Sequence, residues 1–196
     1  MTEAVERAGE AIRNGDLVVY PTETVYGMGA NAVDPEVVER VFEVKGRARD
    51  KPISLGVPDV DTATEYTKPT ARERAFMQEF LPGPVTVVVE RRETVPDILT
   101  AGRDRVGVRV PDHDLALALY EAAGVPVTAT SANRSGTGSV RRVAELSAEI
   151  REAIAVVLDG GETPGAESTV VDVEAGTIHR RGARADEIEA WLDANE

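Results

Sequence analysis

Short apolar runs alternate with segments of helical periodicity along nearly the whole chain. Runs of four or five residues, bounded by turn-forming residues, predict eight strands. The last two strands flank Ala175-Gly176 and predict a closing hairpin, which favours a mixed sheet over a wholly parallel one. The alternation as a whole predicts an α/β fold. The predicted strands are Leu17–Tyr20, Ile53–Val57, Val85–Val89, Val106–Val110, Pro126–Thr130, Ala155–Leu158, Thr169–Val173 and Thr177–Arg181.

Helix start and stop signals occupy the segments between these strands. Asp34-Pro35 supplies an N-cap followed by proline at the first helical position, and Gly46 ends the helix that follows. Thr70 can cap another helix, and Gly124 ends a later one. We therefore expect five or six helices around the sheet. They begin near Val5, Pro35, Thr70, His113, Arg141 and Ala185, with a single turn at Pro96–Leu99.

The stretch Leu17–Asn31 joins the first predicted strand to a polar loop that carries two glycines. Pro21 ends the strand because it has no backbone N–H, and Thr22, Glu23 and Thr24 follow it. Open α/β sheets place their ligands at such strand ends. The glycines imitate a dinucleotide-binding fingerprint, but they are separated from both the strand and the next helix, which argues against that motif.

Length and composition predict one domain over residues 1–196, since 42% of the 196 residues are hydrophobic. The chain has no cysteine, which excludes disulfides and thiolate metal sites. Its two histidines also lack metal-ligand spacing. The amino-terminal segment is acidic and amphipathic rather than signal-like, and no apolar run is long enough to span a bilayer. These features predict a cytoplasmic protein without membrane contact.

The net charge of −13 argues against a general nucleic-acid coat, which needs a basic face. Positive charge is nevertheless concentrated in one short segment that contains Lys45, Arg47, Arg49 and Lys51. Stabilisation by the helix dipole would explain Lys45 alone but not the cluster. In a chain this acidic, a local cluster of cations can attract an anion.

Other polar groups lie at the ends of predicted elements, where they can complete an anion site. Ser131 and Asn133 come directly after a strand, Arg109 lies in one, and Ser168 precedes another. Each residue alone can be explained by turn chemistry, a surface charge or a cap. Together with the cationic cluster they predict an anion-binding site built from Lys, Arg, Ser and Asn. The chain has no GxxxxGK[ST] sequence, so this site is not a P-loop.

Six runs of the sequence are specific when taken together: PTETVYGMGAN, KGRARDKP, LPGPVT, VGVRVPDH, SANRSG and GAESTVVD. They resemble the signature blocks of the YrdC-like family, in family order and over nearly the whole chain. The resemblance implies a single-domain fold with a twisted mixed sheet, flanking helices and a concave cationic face. It implies a threonylcarbamoyl-AMP synthase, a nucleotidyltransferase that converts ATP, L-threonine and bicarbonate into threonylcarbamoyl-AMP and pyrophosphate. The product would serve threonylcarbamoyladenosine modification of tRNA.

The resemblance also implies roles for individual residues. Magnesium is expected on the ATP phosphates rather than on protein side chains. Five positions depart from the family pattern. Lys51 stands where relatives often have Asn, Gly56 where many have His, and Arg105 where a small hydroxyl residue is expected; Thr130 and Arg181 each replace a Pro. Arg105 is therefore expected to crowd or recharge the amino-acid pocket. By position, Lys45, Arg47, Ser131 and Asn133 would be catalytic; these four with Lys51 and Arg180 would bind ATP; and Thr24, Arg109 and Ser168 would bind L-threonine.

Two alternative functions remain open. The pairs Arg141-Arg142 and Arg180-Arg181 favour an RNA-binding module of the same fold, which would contact tRNA or double-stranded RNA without catalysis. The second alternative is a carbamoyl-adenylate-forming enzyme that uses carbamoyl phosphate, although the chain lacks the zinc-binding cysteines of such proteins. For the synthase, the expected partner is the tRNA-modifying threonylcarbamoyl transferase machinery.

Overall fold

A computed structural model describes residues 2–195 and arranges nine strands in one sheet with helices on both faces. The strands are β1 (Leu17–Pro21), β2 (Tyr26–Gly29), β3 (Ser54–Gly56), β4 (Val85–Glu90), β5 (Arg105–Arg109), β6 (Val127–Ser131), β7 (Ile154–Val157), β8 (Thr169–Asp172) and β9 (Thr177–Arg180). The helices are α1 (Thr2–Arg13), α2 (Pro35–Lys45), α3 (Val60–Tyr66), α4 (Ala71–Phe80), α5 (Asp97–Thr100), α6 (Asp114–Ala123), α7 (Ala148–Ala153) and α8 (Ala185–Ala194), with a 3₁₀ turn at Val143–Glu145.

The strand order across the sheet is β7-β1-β2-β6-β3-β5-β4-β8-β9. Three neighbouring pairs are parallel, namely β7 with β1, β3 with β5 and β4 with β8, and the other five are antiparallel. The predicted twisted mixed sheet is confirmed, and the predicted hairpin is β8–β9, in which Asp172 pairs with Thr177. Because the strand order departs from the chain order, strand ends that are distant in sequence come together at one site.

Both faces of the sheet are covered by helices. Successive side chains along β1 point to opposite faces, so its apolar residues pack on both sides of the sheet. Leu17 and Val19 pack with α2 in one cluster of buried side chains, whereas Val18 and Tyr20 pack with α1 and α6 in another. A third cluster joins α4 and α8 to β4 and β5. None of the helices within residues 2–195 has the length and apolarity needed to cross a membrane.

The predicted caps explain where the helix that carries the cationic cluster begins and ends. The side chain of Asp34 accepts hydrogen bonds from the backbone N–H groups of Glu36 and Val37. Gly46 ends α2 in the left-handed conformation, with φ of +57°. Lys45 is therefore fixed in the last turn of α2, and the chain turns sharply directly after it.

The glycine-bearing segment after the polar loop is a strand rather than part of the loop. β2 pairs antiparallel with β1 on one side and with β6 on the other, so the loop proper is only residues 22–25. Its glycines are required by close packing, because a Cβ on Gly27 would lie 2.7 Å from Cζ of Tyr20. This position within a strand also excludes a phosphate-binding turn at the glycines.

One expectation about helices was wrong, and one helix was not predicted. No helix begins at Arg141; a short 3₁₀ turn covers Val143–Glu145, and α7 starts later, where the Ser147 hydroxyl accepts a hydrogen bond from the backbone N–H of Ile150. The sequence also gave no prediction of α3, whose single buried residue, Ala63, leaves no helical pattern of apolar positions.

Candidate active site

One large cavity, with a volume of about 790 Å³, opens between the β1–β2 loop and the ends of several strands. Five arginines line it against three carboxylates, so its wall is cationic although the chain carries a net charge of −13. A cationic cleft in an anionic molecule concentrates anionic ligands. The charged lining residues are Arg47, Arg103, Arg105, Arg109, Arg180, Asp104, Glu167 and Asp172.

At one end of the cavity, Arg109 from β5 meets the β1–β2 loop. Its Nη2 donates to Oε1 of Glu23 at 2.7 Å and lies 3.3 Å from the hydroxyl of Thr24. Within residues 2–195 the Nη1 and Nε groups of Arg109 have no hydrogen-bond partner, although the side chain is 7% exposed. Arg109 can therefore donate from Nη1 or Nε to a second carboxylate while Glu23 keeps it in place.

Two further arginines line the same cavity and lie close enough for their charges to repel. The guanidinium of Arg47 is anchored by the carbonyls of Lys51 and Pro52, both at 2.9 Å, and that of Arg180 donates to the carbonyl and hydroxyl of Ser168 at 3.0 and 2.8 Å. The pKa of Arg47 is lowered, first by burial and then by the positive charge of Arg180. Two anchored cations that repel each other form a suitable site for a phosphate chain.

Lys45 lies beneath the loop that follows β6 rather than in the cavity wall. Its ammonium group donates to the carbonyl of Ser131 and, at 2.7 Å, to that of Asn133, and the residue is only 2% exposed. Burial, and secondarily the charge of Arg47, lowers its pKa from 10.5 to about 7. Lys45 thus fixes the loop that carries Ser131 and leaves at most one ammonium hydrogen for a ligand.

Asn133 fixes the same loop through its side-chain amide. Its Nδ2 donates to the carbonyls of Arg134 and Thr137 at 2.9 and 2.7 Å. Its Oδ1 is buried and has no hydrogen-bond partner among the described residues. The amide therefore closes a compact turn, and its Oδ1 can still accept a hydrogen bond.

The structure brings six of the nine predicted site residues into the wall of this one cavity. The other three, Lys45, Asn133 and Lys51, are not among its lining residues; the first two support the loop after β6, and Lys51 is exposed beside Arg47. The six lining residues are Thr24, Arg47, Arg109, Ser131, Ser168 and Arg180.

Arg105 lines the cavity, but its charge is already matched by acidic groups. Its Nη2 donates to Glu73 at 2.6 Å, to Asp172 at 3.1 Å and to the carbonyl of Val88 at 2.6 Å. Because Glu73 and Asp172 together neutralise Arg105, the expected recharging of the amino-acid pocket does not follow from this arrangement. Arg109, not Arg105, is the cation that lies next to Thr24.

Sequence reasoning did not assign Glu23, His179 or the tyrosines of the cavity to the site. Glu23 stands between Thr22 and Thr24 in the polar loop, so its position in the sequence was enough to make it a candidate site residue. His179, one of the two histidines without metal-ligand spacing, is exposed and lines the cavity from edge strand β9. Tyr20 belonged to an apolar run and gave no sign that its hydroxyl reaches a polar site.

The fold and the site define a class of protein: an α/β protein with one large cationic cavity, whose buried and anchored arginines can hold carboxylate and phosphate groups. Within residues 2–195 no three His, Asp or Glu side chains cluster in a way that could hold a metal ion. The arrangement suits chemistry that depends on positioning two anions and neutralising charge between them.

Comparison with known proteins agrees with this class. Residues 10–182 match the Sua5/YciO/YrdC family, described as "Telomere recombination". The chain belongs to this family. It is 42% identical over 164 residues to a threonylcarbamoyl-AMP synthase of Pyrococcus abyssi, covering 83% of this chain and 48% of that protein. It is 36% identical over 185 residues to a threonylcarbamoyl-AMP synthase of Shigella boydii, covering 92% and 96% respectively.

A solved structure gives the same result for the fold. P. abyssi Sua5 complexed with L-threonine superposes with a TM-score of 0.92 and 38% identity, covering 97% of this chain and 58% of that one. The YrdC-like resemblance and its fold are therefore confirmed. The chain spans about half the length of the P. abyssi synthase that it matches.

Proposed function

We propose that the chain catalyses formation of threonylcarbamoyl-AMP from L-threonine, bicarbonate and ATP. The observation that carries the proposal is one cavity lined both by Arg109, which has unpaired donors, and by the mutually repelling pair Arg47 and Arg180. The named relatives support it, since they are threonylcarbamoyl-AMP synthases and one related structure holds L-threonine.

The amino acid is placed at the Arg109 end. Its carboxylate accepts a hydrogen bond from an unpaired donor of Arg109, Nη1 or Nε, and the hydroxyl groups of Thr24 and Ser168 complete the polar wall. Ser168 also accepts a hydrogen bond from Arg180, so it lies between the amino-acid end and the phosphate end. A shift of Ser168 would therefore affect both substrates.

ATP is placed at the Arg47 and Arg180 end, with Ser131 as a neutral donor. Lys45 and Asn133 hold the loop that presents Ser131, and Lys51 adds positive charge at the rim. Magnesium enters as the MgATP substrate, and it would neutralise charge on the phosphates.

The reaction needs little covalent participation by the protein. The threonine nitrogen forms a C–N bond with the carbon of bicarbonate and water leaves, giving a carbamate. A carbamate oxygen then attacks the α-phosphorus of ATP, and the bond to pyrophosphate breaks. The arginines align the two anions and neutralise the developing charge on phosphate, which is a nucleotidyl transfer driven by geometry and electrostatics.

The product would pass to the tRNA-modifying threonylcarbamoyl transferase machinery. Direct RNA binding is less well supported, because three of the four arginines that suggested it form ion pairs with carboxylates of the chain itself. Arg141 and Arg142 both pair with Glu162, and Arg181 pairs with Asp186 and Glu189. The fourth, Arg180, lines the cavity and is assigned to ATP.

The proposed activity is tested by mixing the protein with MgATP, L-threonine and bicarbonate and measuring pyrophosphate. We expect release that requires both L-threonine and bicarbonate. Release that continues without L-threonine, or that appears only with carbamoyl phosphate, would contradict the proposal. Tight and strongly salt-dependent tRNA binding without any ATP turnover would instead favour the RNA-binding module.

The low pKa of Lys45 gives a pH-dependent prediction for ATP binding. Between its folded value of about 7 and its ordinary 10.5, the unfolded chain holds this proton and the folded chain does not, so the contribution of Lys45 to stability rises with pH across that window. Bound phosphates favour the charged ammonium, so ATP binding at about pH 8 should be accompanied by proton uptake. Calorimetric titrations with ATP in two buffers of different ionisation enthalpy measure that uptake. It should disappear in Lys45→Met, and equal uptake in both proteins would assign the proton to another group.

A further inference from the structure

Two tyrosines form a hydroxyl pair at the floor of the cavity. Tyr20 from β1 and Tyr120 from α6 are at most 2% exposed, and both line the cavity. Their hydroxyl oxygens are 2.7 Å apart, and Tyr20 lies 3.3 Å from the carbonyl of Thr128. The rings meet edge to face, with centroids 5.6 Å apart, so their hydroxyls are rigidly placed.

Glycines make room for this pair on the sheet. A Cβ on Gly56 would lie 2.4 Å from the hydroxyl oxygen of Tyr120, and one on Gly27 would lie 2.7 Å from Cζ of Tyr20. Tyr120 therefore occupies the space that any side chain at position 56 would need. Gly56 pairs with Arg109 between β3 and β5, so the hydroxyl of Tyr120 lies beside the strand that carries Arg109.

The Tyr120 hydroxyl can form one more hydrogen bond than it forms in the structure. If Tyr20 donates to Thr128, then Tyr120 donates to Tyr20 and keeps its acceptor lone pairs free. If Tyr20 donates to Tyr120 instead, the proton of Tyr120 is free to donate. Within residues 2–195 the Tyr120 hydroxyl bonds Tyr20 alone, so in either arrangement one further bond can be made.

The pair is also neutral, which fixes the kind of ligand group that it suits. Burial raises the pKa of Tyr20 to about 12 and that of Tyr120 well above its ordinary value. A neutral hydroxyl that can either donate or accept matches an alcohol, which can do the same. The charged groups of an amino acid are matched elsewhere, by Arg109 and Glu23.

We propose that the hydroxyl of Tyr120 hydrogen-bonds the side-chain hydroxyl of the amino-acid substrate and selects a hydroxy-amino acid over an aliphatic one. The inference rests on the proposed function and concerns its specificity. A site built to bond a substrate hydroxyl discriminates against the analogue that lacks it, because a buried polar group is then left unpaired.

The test compares L-threonine with L-valine, which has nearly the same shape without the hydroxyl, in the wild type and in Tyr120→Phe. We expect the Kd for L-threonine to rise about 3- to 10-fold in Tyr120→Phe, with the Kd for L-valine unchanged or lower and the preference for threonine reduced by at least the same factor. The KM for L-threonine should rise likewise, with kcat unchanged. Titration calorimetry and pyrophosphate release give these values.

Tyr20→Phe is the matched control, because it breaks the same bond between the tyrosines but leaves the Tyr120 hydroxyl in place. It should keep most of the preference for threonine. Equal loss of preference in both variants would overturn the inference and assign the pair a structural role. An unchanged preference in Tyr120→Phe would overturn it as well. If the wild type neither binds L-threonine nor releases pyrophosphate, the proposed function is wrong, which is a separate outcome.

Discussion

Replacing Lys45 with methionine is expected to lower the rate of threonine-dependent pyrophosphate release by about 100- to 1,000-fold. The variant removes the buried ammonium that holds the carbonyls of Ser131 and Asn133. The loop after β6 would then lose its anchor to α2, and Ser131 would leave its position in the cavity wall. Pyrophosphate release under saturating substrates gives the rate.

The stability of the same variant is expected to fall only moderately. Leaving two carbonyls without their donor costs about 1–3 kcal/mol of the free energy of unfolding, partly offset because a buried charge is removed. Urea denaturation measures this change. A large loss of activity with a small loss of stability is the signature of a residue that positions the site.

Lys68→Met is the matched control for Lys45→Met. Lys68 pairs with Glu90 on the surface at 2.8 Å, and both side chains are 52% exposed. Exposed pairs contribute at most about 1 kcal/mol, so this variant should retain its activity. Full activity in Lys45→Met, or an equal loss in Lys68→Met, would contradict the role assigned to Lys45.

The elements that the sequence predicted well are those whose signals are local. Asp34-Pro35 and Gly46 delimit α2, and Thr70 with Glu73 forms the capping box of α4. β2 was missed because its glycines break the pattern of a strand, and the reason for them, the ring of Tyr20, lies on the neighbouring strand. That requirement arises only after the chain has folded.

The difference between local signals and contacts that form only on folding also applies to the candidate site. Residue types and their places at element ends predicted six side chains that the fold brings into the wall of one cavity. The sequence did not separate lining residues from supporting ones, because Lys45 acts on carbonyls 86 and 88 positions away. The pairing of Glu23 with Arg109, which are also 86 positions apart, likewise depends on the strand order.

Replacing Arg109 with methionine is expected to abolish efficient use of L-threonine, with kcat/KM for the amino acid reduced about 100-fold or more. Arg109 is the cavity arginine that we propose binds the carboxylate of the amino acid through its unpaired Nη1 or Nε. The variant also leaves Glu23 as a largely buried carboxylate without its partner. We expect the free energy of unfolding to fall by about 3 kcal/mol, the lower part of the range for buried pairs, since 16% of the Glu23 side chain is exposed.

The double variant Glu23→Gln/Arg109→Met separates these two effects. Removing the charge of Glu23 relieves the cost of an unpaired carboxylate, so urea denaturation should show most of the lost stability restored. The use of L-threonine should stay as low as in Arg109→Met, because the carboxylate-binding cation is still absent. Arg74→Met, which breaks an exposed pair with Asp61, is the control and should change neither property. Recovery of threonine use together with stability would mean that Arg109 serves the fold alone and that another group binds the amino acid.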